Sequence, residues 1–531
     1  MTAEEQPQPV VEELKAPAAP AGDEKKAAEV AGPTSPGEDK EATPLLLFLL
    51  CSISTLEGAD MALLPAVFFA LQQDLGLSLN DLATMTLFQA VCQAAAAPFW
   101  GVLADRGIVS RKKILIFGSV VQGAITCVLA GVDKLVPMVV LRALNGAVLA
   151  SLRPVGNGVL ADVTSEAKRG KVYGWVFFAL NIGMMVGALV GTPISTTDIS
   201  GFQGWRVSFI GIGSLSILVG VLLALFMTEP EREGAKLQKQ GGIMSELRRL
   251  VGYCRMPTFL SLVLQGCFGC VPWNAMGYRT LFFQVGGIDG VRASLLQALG
   301  QVAGALGALF GGVLADTVTR RWLPLHGRPL VAQISVFAGI PIACLTFMIV
   351  PPSGDTAFWY YLSLVCLLGL TASWCATGVN LPILSEIVPA DNRSAIMAWQ
   401  TALEGSCAAV LGNAMVGILA QNVFGYDLSN SNAEYLANPE NQAALGKALT
   451  LTVCFPWVIC LVFYSLLHWS YPRDLKYAQS LRAAPAAARK EVMQVEGVVV
   501  GAEPAKDPTA DKLPQGPRVA QSAAAAAANQ Q

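Results

Sequence analysis

Gly-Val-Leu-Ala-Asp stands at 101–105 and again at 312–316, 211 residues further on. Each copy closes a long apolar stretch, and basic residues follow each: Arg106, Arg111, Lys112 and Lys113 after the first, Arg320 and Arg321 after the second. A motif that recurs at the same kind of boundary describes a chain built as two versions of one membrane unit. A second matched set agrees. Asp162, Arg169 and Trp175 are repeated as Glu386, Arg393 and Trp399, each pair offset by 224. A further Gly-Val-Leu-Ala-Asp at 158–162 belongs to this second set.

Working outward, charged residues make up 14% of the chain and apolar residues 53%. Soluble domains carry about 25% charged residues. A helix crosses the hydrocarbon core with about 20 mainly apolar residues. Twelve segments qualify: 45–71, 81–104, 113–131, 135–161, 171–195, 205–228, 257–284, 291–315, 328–350, 357–384, 394–420 and 446–470. The expected fold class is therefore all-α integral membrane, with two pseudo-symmetric six-helix bundles. The expected organisation is a disordered N-tail over 1–43, a first bundle over 44–228, a linker over 229–256, a second bundle over 257–472 and a disordered C-tail over 473–531. The first apolar run begins at Pro44 after a polar tail, as expected without a signal peptide.

Loops after even-numbered segments hold seventeen Lys and Arg, against four in loops after odd-numbered ones. That asymmetry places both termini, and the linker, in the cytoplasm. Which membrane is involved is not legible. A net charge of −2 gives no reason to expect a nucleic-acid partner. No cofactor is expected, and with only His326 and His468 present, far apart in sequence, no metal either. Cys267-x-x-Cys270 lies in an apolar segment and reads as packing.

The motifs carry a family resemblance over nearly all of 44–472. Gly101-x-Leu103-x-Asp105-Arg106, with Arg111, Lys112 and Lys113, resembles the loop 2–3 motif of the major facilitator superfamily, with its basic residues later than usual. Arg142-x-x-Asn145-Gly146 resembles that family's Arg-x-x-Gln-Gly motif. Gly174, Gly183, Gly187 and Gly191 have the spacing of its antiporter glycine motif, with Ala188 where the proline would stand. Gly204-Trp205-Arg206 is also similar. Asp60 and Pro272-Trp273-Asn274-Ala275-Met276 resemble the spinster-like lipid transporters. Leu149 and Met61 depart from that subfamily's glutamate and arginine. The resemblance implies a monomeric secondary active transporter that moves a small organic solute by alternating access within a lipid bilayer, with protons as the coupling ion. A facilitative uniporter or a lysolipid-type transporter shares the fold. A non-transporting sensor is the rival of another class.

Several residues could carry the chemistry. Glu57 and Asp60 sit near the middle of segment 1, where a charge costs roughly 3 kcal/mol. At i and i+3 they share a helix face and read as a proton-binding pair, or as structural carboxylates. Arg142 and Arg153, 11 residues apart, fall about three turns apart on one side of segment 4. Arg142 would then oppose the acids, and Arg153 would bind an anionic group or snorkel to the interface. Glu404, the only acid inside segment 11, is a coupling or substrate candidate. Arg279 is a cavity residue or an interfacial anchor. Gln89, Gln93, Asn145, Asn181, Trp273, Asn274, Trp374, Asn380 and Gln400 are cavity-lining candidates. Gly101, Asp105, Arg106, Asp162, Arg169, Asp316, Glu386 and Arg393 sit at cytoplasmic ends, where opposite charges would lock the halves when an inner gate closes.

Overall fold

A computed structural model describes residues 43–105, 108–164, 166–228, 251–351, 354–388, 390–427 and 438–483. The first span forms where the chain supplies both of its ends. Thr43 accepts a hydrogen bond from the Leu46 amide at 3.4 Å, Pro44 occupies the first turn, and Gly76 closes the helix at φ 63°. Six spans precede the linker: Pro44–Leu75, Leu79–Gly101, Arg111–Leu129, Leu135–Leu160, Gly174–Ser195 and Gly204–Phe226. Six follow it: Pro257–Val285, Gly290–Arg321, Gly327–Met348, Asp355–Ala372, Trp399–Val423 and Pro439–Ser480. Each overlaps one of the twelve expected segments, and they are numbered 1 to 12 here.

Two departures from the sequence reading have local causes. The last helix runs from Pro439 to Ala483, so the expected tail boundary at 472 falls inside it. Leu475 and Ala478 are buried there, and the Asp474 carboxylate accepts from the Thr258 amide at 2.9 Å, capping span 7. Between spans 5 and 6 a two-strand hairpin, β1 Asp198–Ile199 with β2 Phe202–Gln203, turns through Ser200 and Gly201 at φ 56° and 82°.

Small residues set which spans touch. A Cβ added to Gly183 would overlap the Thr55 carbonyl, and one added to Gly187 would stand 2.9 Å from the Ala59 carbonyl. Gly58 reciprocates against the Leu180 carbonyl, so spans 1 and 5 meet backbone to backbone. Gly146 brings span 4 onto the Gln89 carbonyl of span 2 in the same way. Gly307 of span 8 packs 2.5 Å, Cβ to oxygen, from the Gly369 carbonyl of span 10. Large apolar side chains such as Phe48, Leu225, Phe337 and Trp359 face outward, as a bilayer requires.

Several spans are interrupted. Span 4 breaks at Ala150 and Ser151, between helices Leu135–Leu149 and Leu152–Val163. Span 7 breaks after Ala275 into a 3₁₀ turn, Met276–Tyr278, and a short helix, Arg279–Val285. Beyond span 10 a π-helical turn, Ala376–Asn380, leads into Leu381–Ile387, and span 11 has π turns at Ala409–Asn413 and Leu419–Val423. Such irregular backbone at membrane depth persists where protein or a cavity covers it.

The two halves clasp at the face opposite the basic loops. The Asn80 side chain donates to Asn422 at 3.3 Å, and its amide donates to Gln421 at 3.3 Å. The Tyr426 hydroxyl donates to Gln72 at 3.1 Å. Phe68 and Tyr278 pack ring to ring at 5.1 Å across the seam. From there a cavity of about 1110 Å³ runs between the halves to Gly174, Gly312 and Asp316, at the face that carries the basic loops.

Candidate functional site

Beside the cavity lies a closed polar ring, built by four spans of the first half. Asp60 is fully buried, at 0% exposure. Its Oδ1 accepts from Gln122 Nε2 at 3.0 Å and from Thr126 Oγ1 at 3.2 Å, both on span 3. Asn145 Nδ2 donates to Thr126 Oγ1 at 3.1 Å, and Gln89 Nε2 donates to Asn145 Oδ1 at 3.1 Å. Arg142 donates to Gln89 Oε1 and returns to Asp60, with Nη1 3.9 Å from Oδ2. The ring closes on that one long contact. Asp60 Oδ2 and Arg142 Nη1 are both buried without a hydrogen bond. Gln89 and Arg142 also line the cavity, which joins the ring to it. Gly146 is what permits this, since its missing side chain seats Gln89 beside Asn145.

The sequence reading set Arg142 opposite both acids and left Arg153 for an anionic group or the interface; the structure gives each arginine one acid. Glu57 meets Arg153, not Arg142: Arg153 Nη2 lies 2.8 Å from Glu57 Oε1. That pair sits in a separate small pocket lined by Leu50, Leu152 and Asn157. Three helical turns, about 16 Å, separate the two arginines along span 4, which is interrupted between them at Ala150 and Ser151, and Arg142 meets Asp60 while Arg153 meets Glu57. The Arg153 side chain is 46% exposed, whereas Glu57 is 2% exposed. Arg153→Gln should therefore lower the thermal midpoint by the equivalent of about 1–3 kcal/mol, because a buried acceptor loses its partner. Adding Glu57→Gln should recover most of that loss. A single Arg153→Gln variant that melts like the parent would show that the pair contributes nothing.

Both halves supply the rest of the wall. Glu404 lines the cavity, packs against Gly266, and accepts from Gln400 Nε2 at 2.7 Å. Gln93, Asn181, Trp273, Asn274, Arg279 and Asn380 also line it. Tyr464 of span 12 donates to Asn380 Oδ1 at 3.0 Å. Three lining candidates stand back from the cavity. Trp374 gives its indole N–H to the Leu370 carbonyl at 2.6 Å and packs on Gly311 and Phe310. Asn145 and Gln400 are buried one layer behind, bonded to Gln89 and Glu404.

Sequence reasoning passed over Gln122, Thr126, Gln265, Gln297, Gln301 and Tyr464. Gln122 with Thr126, and Gln297 with Gln301, are polar residues at i and i+4 inside apolar helices, a legible signal of a shared buried face.

At the basic face, Arg328 bridges Asp316, at 3.3 Å, and Glu386, and the Tyr471 hydroxyl donates to Glu386. All four belong to the second half. In the first half, Arg111 opens span 3 as Arg328 opens span 9, and it lies 3.1 Å from where a Cβ of Gly158 would stand. A Cβ on Gly101 would meet nothing within 4 Å. Arg106 lies outside the described residues, and Asp105, Asp162, Arg169 and Arg393 are placed at this face by backbone alone. His326 and His468, distant in sequence, meet with their Nδ1 atoms 3.1 Å apart. Among the described residues no three His, Cys, Asp or Glu side chains group as a metal site.

Twelve spans in two clasped halves, with a cavity between them, define a multi-pass membrane transporter. The family model of the Major Facilitator Superfamily matches residues 50–412, and the chain belongs to that superfamily. It is a secondary transporter of a small-molecule solute. The chain is 25% identical over 348 residues to the multidrug resistance protein MdtG of Proteus mirabilis, covering 63% of this chain and 79% of that one. It is 24% identical over 293 residues to a probable sulfoacetate transporter, SauU, of Cupriavidus necator, covering 52% and 66%. Among solved structures, a bacterial homolog of the human lysosomal transporter Spinster, inward-facing and unoccupied, superposes with a TM-score of 0.67 at 18% identity. It covers 82% of this chain and 99% of that one. A D-xylose–proton symporter superposes with a TM-score of 0.55 at 18% identity, covering 78% and 97%.

Proposed function

We propose that the protein couples solute movement to protons, with Asp60 as the proton-binding group. The observation that carries this reading is the ring's one open joint. Asp60 Oδ2 faces Arg142 Nη1 at 3.9 Å, and neither atom has a hydrogen bond. A proton on Oδ2 removes the charge that holds Arg142. Arg142 and its partner Gln89 then become free to answer a solute in the cavity that both line. Solute and proton thus compete for, or share, one set of side chains, which is a coupling free energy between two sites. The clasp at Asn80, Gln421 and Tyr426, together with a cavity reaching the basic face, fits one end state of alternating access. On the positive-inside assignment the basic face is cytoplasmic, both termini lie there, and this is the inward-open state. The two six-span halves are the bodies that rock, and Asp316, Arg328 and Glu386 are the second half's part of the inner gate.

Reconstituted protein tests the reading. Solutes that raise its thermal midpoint, drawn from lysolipids, sugars, amino acids and organic anions, would be offered to proteoliposomes with an imposed pH gradient. Gradient-dependent accumulation that a protonophore collapses is the expected result. Flux that only equilibrates, whatever the pH difference, would make the protein a uniporter and leave Asp60 a structural carboxylate.

A further inference from the structure

Arg279 is the arginine whose charge the cavity leaves unanswered. Arg142, Arg153, Arg206, Arg292 and Arg328 each have a carboxylate within 4.0 Å. Arg279 has none among the described residues, although it is only 7% exposed and lines the cavity. Its Nε and Nη2 both donate to a single neutral acceptor, Gln297 Oε1, at 3.1 and 2.6 Å. Span 8 offers a glycine alongside: a Cβ on Gly300 would stand 3.2 Å from Nη2. Of the carboxylates that line the cavity, Glu404 is bonded to Gln400 and Asp316 is paired with Arg328. A buried guanidinium without a counter-charge is costly, and its planar fork matches a carboxylate, sulfonate or phosphate group. Phe68, Phe177, Trp273 and Met276 also line the cavity, and most of its surface is apolar.

We propose that this cavity takes an organic anion with an apolar body, its anionic group received by Arg279 and that guanidinium oriented by Gln297. The assignment rests on the cavity being the solute site of the transport reading. It deepens that reading by naming the substrate class.

Calorimetry on the full chain in nanodiscs tests it without any pH gradient. Naphthoate, naphthalenesulfonate and naphthyl phosphate would be compared with neutral naphthalenemethanol and cationic naphthylmethylammonium. The expected result is about tenfold or more tighter binding of the anions, the scale of one charge-assisted hydrogen bond. The three anions separate carboxylate from sulfonate and phosphate recognition. Arg279→Gln should erase the preference. Gln297→Glu should also erase it, because it supplies an internal carboxylate at the same position, and it keeps the test decisive if Arg279→Gln fails to fold. Equal binding of the neutral or cationic analogue by the parent, or an anion preference that survives Gln297→Glu, would overturn the proposal. Anion binding through Arg279 without pH-driven flux would sink the coupling reading alone, and pH-driven flux without anion preference would sink this one alone.

Discussion

Asp60→Asn should abolish pH-driven accumulation while leaving a folded protein. Asparagine keeps the oxygen that accepts from Gln122 and Thr126 on span 3. What it removes is the charge that faces Arg142 and the atom that would take the proton. Accumulation should fall to the level reached without a gradient. Coupling between two sites is typically worth about 1–3 kcal/mol, or 5–150-fold, so the loss lies well within measurement. Removing one partner of a buried pair costs about 3–5 kcal/mol. Here the cost should fall at or below the low end of that range, because the contact is long and Arg142 keeps its bond to Gln89. Asp60→Asn with Arg142→Gln should therefore regain thermal stability without regaining accumulation. A protein that still concentrates solute after Asp60→Asn would place the proton on another group, Glu57 or Glu404.

Gly183→Val should prevent folding, the largest stability effect expected of a single substitution here. The added side chain would enter the Thr55 backbone of span 1, and a backbone carbonyl cannot rotate aside as a side chain does. Overpacking a close-packed interior costs about 1–3 kcal/mol and more where backbone must move. Gly58→Val should behave alike from the other side of the same seam, against the Leu180 carbonyl. Gly174→Val is the control. It belongs to the same glycine series, yet a Cβ there meets nothing within 4 Å, so folding should be unchanged. Size-exclusion profiles and melting curves of the three variants decide the matter. A monodisperse Gly183→Val protein with parental stability would show that spans 1 and 5 do not meet as described.

The glycine series shows how far a motif can be read. Its spacing carried the family resemblance, but only Gly183 and Gly187 press on backbone. Gly191 makes ordinary contact with Ala66 and Leu63, and Gly174 lines the cavity. Spacing along one helix gives the face; the partner helix determines which positions must be small.

The twelve spans and their two-fold organisation were legible from the chain alone, because spanning a bilayer is a local requirement. It needs a sufficient run of apolar residues, and a duplicated Gly-Val-Leu-Ala-Asp marks equivalent ends whatever the helices later touch. The acidic and basic candidates in spans 1 and 4 were legible for the same reason, since charges in apolar runs stand out. Their pairing was not. Two arginines 11 residues apart stand about three turns apart along span 4, and which acid each one meets, Arg153 with Glu57 and Arg142 with Asp60, depends on how span 1 lies against them. The contribution of Gln122 and Thr126 to Asp60, and Arg279 lying near Gln297 with no carboxylate among the described residues, depend on which helices lie side by side. That is decided by many weak contacts between small residues on different spans, so no single stretch of sequence contains it. Tertiary packing therefore decided the site, while hydrophobic length had already decided the fold.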